Sequence, residues 1–565
     1  MRYLLIALLS LASLTARAGE RLYNGFVLPD QWPPRAGRLA REPMPVPYLK
    51  DRPAVVPIDV GRQLLVDDFL IELTTLKRTF HHAEFYPKPM ICPEKPWETE
   101  GKATMAYAYS GGAWFDPRDK LFRLWYSAGL VLPGVDGYGT SFLCLATSKD
   151  GIQWDRPSLD VVRPGSNIVL HVHHDSTTVW LDHQERDPAR RFKEFDSERR
   201  NKRWHLVMRT SPDGIHWTET AASPLCGDRT TVFYNPFRNV WVVSQRIFPR
   251  GVGRARGYVE AATPEAAVAK VRPAEYDLPS GEAVPWVCAD RLDPHNPDPR
   301  WSKMEPQLYN LDAAPYESLM LGLFAIWQGP ENGDVRRLGI QKRNDLLLGF
   351  SRDGFHWHRP DRERFIAGTG KETDWNYGNV QSAGGGCLVV GDKLYFYVSA
   401  RPVDPSGWHG RSNTGLAILR RDGFASLDAG SEGGTLTTRP LTFRGKHLFV
   451  NVAAPKGELR AEVLDVDGKV VAPFTEGNCN PITGDATLRQ VTWKAAADLS
   501  SVTGKPVRLR FRLANGSLYA FWVSPDASGA SHGYVAAGGP GLSGSLDTVG
   551  AQGGSSNRAM EPPQR

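Results

Sequence analysis

Cysteine is scarce and scattered here: six in 565 residues, at Cys92, Cys144, Cys226, Cys288, Cys387 and Cys479. None forms a CxxC pair, so zinc at the usual ligand spacing is unsupported. Their wide spread reads as buried thiols more than as a disulfide framework. Long apolar runs are also missing beyond the first eighteen residues, so no stable membrane insertion is expected. Charge of one sign is nowhere concentrated, and the formal net charge is only +6. The densest cluster, Arg186 to Arg203, alternates with Glu185, Asp187, Glu194, Asp196 and Glu198. That pattern is a solvated face and argues against a nucleic-acid partner. No G-x-S-x-G elbow occurs at a strand-to-helix turn, which removes the usual sequence mark of a Ser-His-Asp site. His173-His174 with Asp175 lacks a second His pair to complete a metal site. The Gly384-Gly385-Gly386 run lacks the following helix of a phosphate loop. No metal and no cofactor are expected.

What is present begins with an export signal. Arg2 supplies a positive start, Leu4 to Leu14 is a short apolar run, and Ala16-Arg17-Ala18 fits a signal-peptidase site. Residues 1–18 are therefore expected to be removed, leaving a secreted or periplasmic chain with an N-terminal extension over 19–59. Seventeen Trp, 55 Gly and 43 Pro make a composition of strands and turns.

Internal repetition sets the expected fold. Ser148-Lys149-Asp150-Gly151-Ile152-Gln153-Trp154 recurs as Ser211 to Trp217 and again as Ser351 to Trp357, with a degenerate copy at Asp422-Gly423-Phe424. S-x-D-G-x-x-W is turn chemistry: Asp accepts from backbone N–H groups, Gly takes a positive φ, and Trp covers the hairpin. These are folding elements with no expected catalytic role. Upstream of each lies an apolar strand, a polar turn and an aromatic strand. Five such units predict an all-β, five-bladed propeller over 60–430, with residues 60–92 supplying the missing outer strand of the fifth blade. From Leu436 the texture changes to short alternating strands with an Asp467-Gly468 hairpin turn. This predicts a separate antiparallel β-sandwich over 436–530, suited to an accessory role. The Gly/Ser/Pro-rich stretch 538–565 is expected to be disordered.

Propellers bind ligands at the channel end where their innermost strands begin. Before the first blade stand Trp97, Glu98 and Glu100; the second begins at His174 and Asp175, and the third at Asp228 and Arg229. The fourth carries Asp312, Tyr316 and Glu317, and the fifth begins with Trp375, Asn379 and Gln381. Arg246 and Arg401 lie nearby in the pattern. Glycosidic cleavage needs a proton donor and a second carboxylate on opposite sides of the bond. Aromatic rings stack on sugars, while Arg and Asn fix hydroxyls or a carboxylate. Asp175, Asp228 and Glu317 are the catalytic candidates, expected at one mouth with two carboxyls about 5–10 Å apart. The others are candidates for binding substrate.

The Pro93-Glu94-Lys95-Pro96-Trp97-Glu98 run before the first inner strand, the aromatic Leu124-Trp125-Tyr126 after it, and the Leu65 to Ile71 segment carry a resemblance. Over roughly residues 60–425 the chain resembles the five-bladed glycoside hydrolases related to families 32, 43 and 130. The resemblance implies a catalytic set of Asp on blade one, Asp on blade two and Glu on blade three. Asp175 stands where the blade-two Asp is expected. The chain departs from the pattern in offering Asp228 for the blade-three Glu, and Glu98 or Glu100 where an Asn-Asp-Pro-Asn-Gly run is expected.

Together these features predict a secreted, exo-acting glycoside hydrolase of an oligosaccharide or polysaccharide. Glu317 or Asp228 is expected as proton donor, with Asp175 modulating it or serving as base. Two rivals share the residues. One is a non-catalytic glycan-binding propeller. The other is a polysaccharide lyase acting on uronates, with Tyr316 or His174 as base and Arg229 neutralising the acid.

Overall fold

The computed structural model describes residues 19–35, 38–131, 140–172, 174–272, 283–406 and 410–550. The export signal at 1–18 lies outside them. Blade one has an interrupted inner strand, Ala106–Tyr107 then Ala113–Asp116, followed outward by Leu121–Val131, Thr140–Ser148 and Ile168–Val172. Blade two comprises His174–Leu181, Phe192–Arg200, Arg203–Ser211 and Thr218–Ala222. Blade three comprises Thr231–Asn235, Val240–Ile247, Ala255–Ala261 and Val284–Cys288. Blade four is built on Gln307–Glu317, Leu319–Trp327 and Asn344–Ser351. Blade five runs from Gly378–Ser382 and Leu388–Val390 through Lys393–Arg401 to Asn413–Arg420. The all-β, five-bladed reading is correct. Neighbouring strands in every blade pair antiparallel.

The ring closes as the repeat pattern predicts. Glu84–Phe85 adds the outer strand of blade five, with Phe85 opposite Ala417 and Glu84 opposite Ile418. A strand from before the first blade thus completes the last one.

The repeated turns lock each blade to its predecessor. In all three full copies the Asp Oδ1 accepts from the backbone N–H groups two and three residues on. The Ser Oγ accepts from the Gly N–H. The preceding blade then reaches across. Trp125 Nε1 donates to the Gly214 carbonyl at 2.9 Å, Tyr397 Oη to Gly151 at 2.5 Å, and Trp286 Nε1 to Phe355 at 2.7 Å. The degenerate copy keeps the relation, since Tyr316 Oη of blade four donates to Asp422 Oδ1 at 2.7 Å. Each turn follows the third strand, which runs parallel to the first, so all lie at the end where inner strands finish. Asp150, Asp213 and Asp353 are therefore far from the strand starts, as their turn chemistry implies.

The C-terminal region differs from a self-contained sandwich over 436–530. It is a nine-stranded antiparallel sheet centred on the long strand His447–Leu464. Ile71–Thr74 and Lys77–Phe80, from before the propeller, form its two ends in the strand order, and Gln63–Leu64 pairs with Gly516–Ser524. Ala425–Ala429 and Gly434–Thr438 also belong to it. The sheet is therefore discontinuous in sequence. Strand texture revealed its C-terminal members, but nothing local marks a partner about 345 or more residues away.

The expected disorder after Gly538 is incorrect as far as residue 550. Tyr534–Val535 pairs with the end of the blade-four inner strand, Phe115 N–H donates to the Ala537 carbonyl, and Val389 N–H donates to Gly538. The segment thus spans blades one, four and five at the finishing end of the inner strands. Tyr534 adds an edge-to-face contact with Phe237 of blade three. Small residues, unable to build a core of their own, are what allow this chain to lie flat across converging strand ends. Residues 551–565 lie outside the described residues. Asp547 is fully buried and anchors the segment.

All six cysteines are free thiols, with Cys144, Cys288, Cys387 and Cys479 buried. No helix among the described residues is long and apolar enough to cross a membrane.

Candidate active site at the channel mouth

The inner strands begin at one end of the propeller, and five neighbouring starts bring polar side chains together there. Asp228 and Arg229 directly precede the blade-three strand, with Arg229 at φ 56°. Asp175 lies at the start of the blade-two strand. Tyr309 lies near the start of the blade-four strand, Tyr107 in that of blade one, and Asn379 and Gln381 in that of blade five.

Asp228 sits between two guanidinium groups. Its Oδ1 is 2.6 Å from Arg246 Nε and its Oδ2 is 3.4 Å from Arg254 Nη2. Each of the three side chains remains 22–24% exposed, so this cluster faces solvent. Burial raises the Asp228 carboxyl, but Arg254 and Arg246 outweigh it and hold the group below the usual carboxylate range. Asp228 is therefore an anion at neutral pH. That suits a base or nucleophile and corrects its expected role as proton donor.

The Arg254 guanidinium also lies over the Tyr309 ring, 4.6 Å from its centroid. Lys342 Nζ approaches the Tyr309 hydroxyl at 3.5 Å. Burial pushes this phenol up, and Asp175 and Asp228 do likewise, yet Lys342 and Arg254 bring it below its ordinary value. Tyr107 and Tyr109 move oppositely: burial dominates and carries Tyr107 to about 12 and Tyr109 well above its ordinary value. Asp175 bears on all three phenols and on Arg229 and Arg254. The charges of Asp175 and Asp228 thus both act on Tyr309.

Next to these residues the inner strands carry a hydrogen-bonded network. Arg229 stacks on Tyr109 at 3.5 Å and donates through Nη2 to Gln381 Oε1 at 2.8 Å and Ser110 Oγ at 3.3 Å. Asp312 Oδ2 accepts from Ser382 at 2.5 Å, Asn310 at 2.9 Å and Ser110 at 3.2 Å. Burial raises the Asp312 carboxyl against Arg229 and these donors. Gln381 in turn donates to Asn379, which also accepts from Asn344 at 2.6 Å. Arg401 lies over Tyr107 at 5.5 Å. The expected Arg229, Arg246, Asp312, Asn379, Gln381 and Arg401 thus belong to the mouth or the network next to it.

Glu317 does not, and its assignment as a catalytic acid is incorrect. The blade-four inner strand is Gln307–Glu317, not the apolar run that follows it, so Glu317 ends the strand instead of starting it. Eight residues beyond Tyr309, it stands about 26 Å away along an extended strand. There it occupies a tight turn at φ 51° and is fully buried. Arg62 Nε lies 3.5 Å and Arg421 Nη2 3.4 Å from its Oε1, and Ser531 Oγ donates to Oε2 at 2.7 Å. Tyr316 is at the same end and is bound to Asp422.

The residues before blade one are structural as well. Glu98 is buried and accepts from Tyr126 Oη, Arg156 Nε and the Glu94 and Lys95 N–H groups. Trp97 donates to Asn167, and Glu100 pairs with Arg163 at 2.7 Å. Trp375 packs edge-on against Phe85 at the outer side of blade five. The His174 side chain lies outside the described residues.

Sequence reasoning missed Tyr107, Tyr109, Tyr309, Arg254 and Lys342. The tyrosines read as strand aromatics, and Arg254 and Lys342 follow glycine- and polar-rich loops with no repeat signature. A correct start for the blade-four strand would have exposed Tyr309. Among the described residues, no group of three or more His, Cys, Asp or Glu side chains is arranged to hold a metal ion. A groove of 520 Å³ lies away from the mouth, between Arg38–Val46 and the edges around Trp286, Phe355 and Trp357.

Among the described residues, fold and site define a five-bladed propeller with a cation-rich mouth. No family model matches the sequence, and no curated protein matches it. Among solved structures the chain is similar to one described under the GH130 family of mannoside phosphorylases, which contains glycoside hydrolases targeting β-1,2-mannosidic linkages in Candida mannan. The identity is 15% and the TM-score 0.39, covering 62% of this chain and 97% of that one. It is also similar to a fructofuranosidase from Schwanniomyces occidentalis in complex with fructose, at 12% identity and TM-score 0.37, over 77% and 97% of the two chains. A mannose phosphorylase from Leishmania mexicana in complex with phosphate ion matches at 9% identity and TM-score 0.36, over 60% and 89%.

Proposed function

We propose that this protein is an exported carbohydrate-active enzyme, an exo-acting glycoside hydrolase that takes the end of a glycan into the channel mouth. The observation that carries this reading is the placing of Asp175 and Asp228 at the starts of adjacent inner strands, with both charges acting on the Tyr309 phenol. The opposite end of the channel is crossed by residues 534–538. With that end covered, a glycan would enter from the mouth side by its terminus, which supports exo action.

Hydrolysis needs a donor for the leaving oxygen and an anionic carboxylate across the bond. Asp228, held ionised by Arg254 and Arg246, takes the role of base or nucleophile. Asp175 is the other carboxyl at the mouth and takes the role of donor. Of the mouth tyrosines only Tyr309 is half-buried, and its ring is the one that can offer stacking surface to a sugar. Export rests on the residue pattern at 1–18.

A second reading, eliminative cleavage of a uronate, is favoured by one observation: Lys342 and Arg254 draw the Tyr309 phenol toward ionisation against its burial. A phenolate there is suited to removing a carbon-bound proton. One experiment separates the readings. The purified protein is offered a panel of plant and algal glycans, with new reducing ends and unsaturated products measured in parallel. Reducing ends without unsaturation, lost in Asp228→Asn and Asp175→Asn, support hydrolysis. Unsaturated product lost in Tyr309→Phe supports elimination. Binding without either product leaves a glycan-binding propeller.

A further inference from the structure

The geometry points to an oxyanion subsite in the mouth, formed by Lys342, Arg254 and Arg229 around the Tyr309 and Tyr109 rings, that takes the carboxylate or sulfate of an acidic sugar. This deepens the proposed function and rests on the mouth being the sugar site.

Three observations carry it. Lys342 has no carboxylate within ion-pair distance among the described residues; its ammonium is directed at the Tyr309 hydroxyl, 3.5 Å away and 5.2 Å from the ring centroid. Arg229 is fully buried, and its Nε and Nη1 have no hydrogen-bond partner. The Tyr109 face and the Asp175 and Asp312 charges hold this guanidinium, and its two idle donors are where a ligand oxyanion would accept. Arg254 divides its charge between Asp228 and the face of Tyr309. Arg246 and Arg254 share Asp228, so Lys342 keeps an ammonium with no carboxylate of its own among the described residues, and a ligand bearing negative charge would supply one.

The placing of those cations favours a charge carried on a sugar over a free ion. Arg229 covers Tyr109 and Arg254 covers Tyr309, so cation and aromatic surface are offered side by side. An acidic sugar presents an apolar ring face and an oxyanion within one residue. A planar carboxylate or a sulfate can accept from Lys342 and a guanidinium together. A neutral hexose gains little from Lys342 and leaves the Arg229 donors idle.

The test uses the purified protein and affinity electrophoresis through gels containing homogalacturonan, alginate, glucuronoxylan or fucoidan. Each is paired with its carboxyl-reduced or desulfated counterpart, and inorganic phosphate serves as competitor. The expected result is retardation by at least one acidic glycan, weakened roughly tenfold or more by neutralisation, as for a lost charged hydrogen bond. Lys342→Met should lose the same factor and Lys342→Arg should recover part of it, with unchanged thermal unfolding. Equal binding of acidic and neutralised glycans, no binding to any acidic glycan, or an unaffected Lys342→Met overturns the subsite. Phosphate binding without acidic-glycan binding overturns it too, and identifies a free oxyanion instead. Asp228-dependent turnover of a neutral glycoside, indifferent to Lys342→Met, removes the subsite while leaving the proposed hydrolase standing.

Discussion

Asp228 Oδ1 and Arg246 Nε stand 2.6 Å apart at the mouth of the propeller, with Arg254 on the other oxygen of the carboxylate. The pair keeps Asp228 charged where a reacting sugar would lie, and it sets the first prediction. Asp228→Asn should lower kcat/KM on any cleaved glycan by about 10²–10⁴-fold while leaving the unfolding transition in place. Because Arg254 and Arg246 depress the Asp228 carboxyl, wild-type activity should persist into acid below the ordinary carboxylate range before Asp228 protonates. An Arg246→Gln variant should move that acid limb upward in pH, which a kcat/KM profile would register. An unmoved limb would detach Asp228 from the rate.

The buried network at the far end has a structural task. Arg62 and Arg421 face Glu317, Asp422 and Asp547, with Arg62 stacked on Trp522 at 4.1 Å. Arg62→Met leaves three buried acids with one guanidinium and should cost about 3–5 kcal/mol in urea unfolding. Glu317→Gln should leave turnover per folded molecule unchanged.

The same network fixes a pH dependence. Burial raises Asp422 and Asp547, but Arg62 and Arg421 win and hold both below the usual range. Their contribution is present above the unfolded carboxylate value and is lost as pH falls through the lower folded value. Glu317 is raised by burial, with Asp547 and Asp422 adding to the effect against Arg62 and Arg421. It therefore opposes folding as pH rises through that range. Unfolding midpoints across acid pH should fall most steeply below the ordinary carboxylate value, and more shallowly in Asp422→Asn.

Trp125 and Gly214 test the coupling between blades. Gly214 has φ 76°, and a Cβ there would stand 2.5 Å from Trp125 Cζ2. Gly214→Ala should destabilise the protein by about 2 kcal/mol or more through backbone strain and contact with the indole. Thermal unfolding of this variant beside Gly165→Ala, where φ is also positive but nothing lies within 4 Å, separates contact from strain.

Residues 534–550 belong to the fold, and truncation makes this measurable. A chain ending at Gly550 should unfold as the full chain does. One ending at Gly533 loses the strand against Tyr316 and Glu317 and the Asp547 carboxylate. It should unfold at lower denaturant and tend to aggregate.

Blade number, the position of the recurring turns and the borrowed strand of blade five could be read from residue order. They depend on short-range chemistry: Asp-Gly turns, apolar alternation and a repeat that needs a closing strand. Asp175, Asp228 and Arg229 were legible for the same reason, since they directly precede or begin recognisable strands. Glu317 was misread because one apolar run hid which of two adjacent strands was innermost, and a strand's ends lie on opposite faces of the ring. The sheet uniting Ile71–Thr74 with Gly434–Thr438, and the crossing of the channel by residues 534–538, arise only when distant segments meet. So does the character of the mouth. Whether Asp228 is an acid or an anion, and whether Tyr309 is an ordinary phenol, depends on Arg254 and Lys342, which reach them through space from other loops. Charge interactions fall with distance between side chains, and that distance is a property of the folded chain alone.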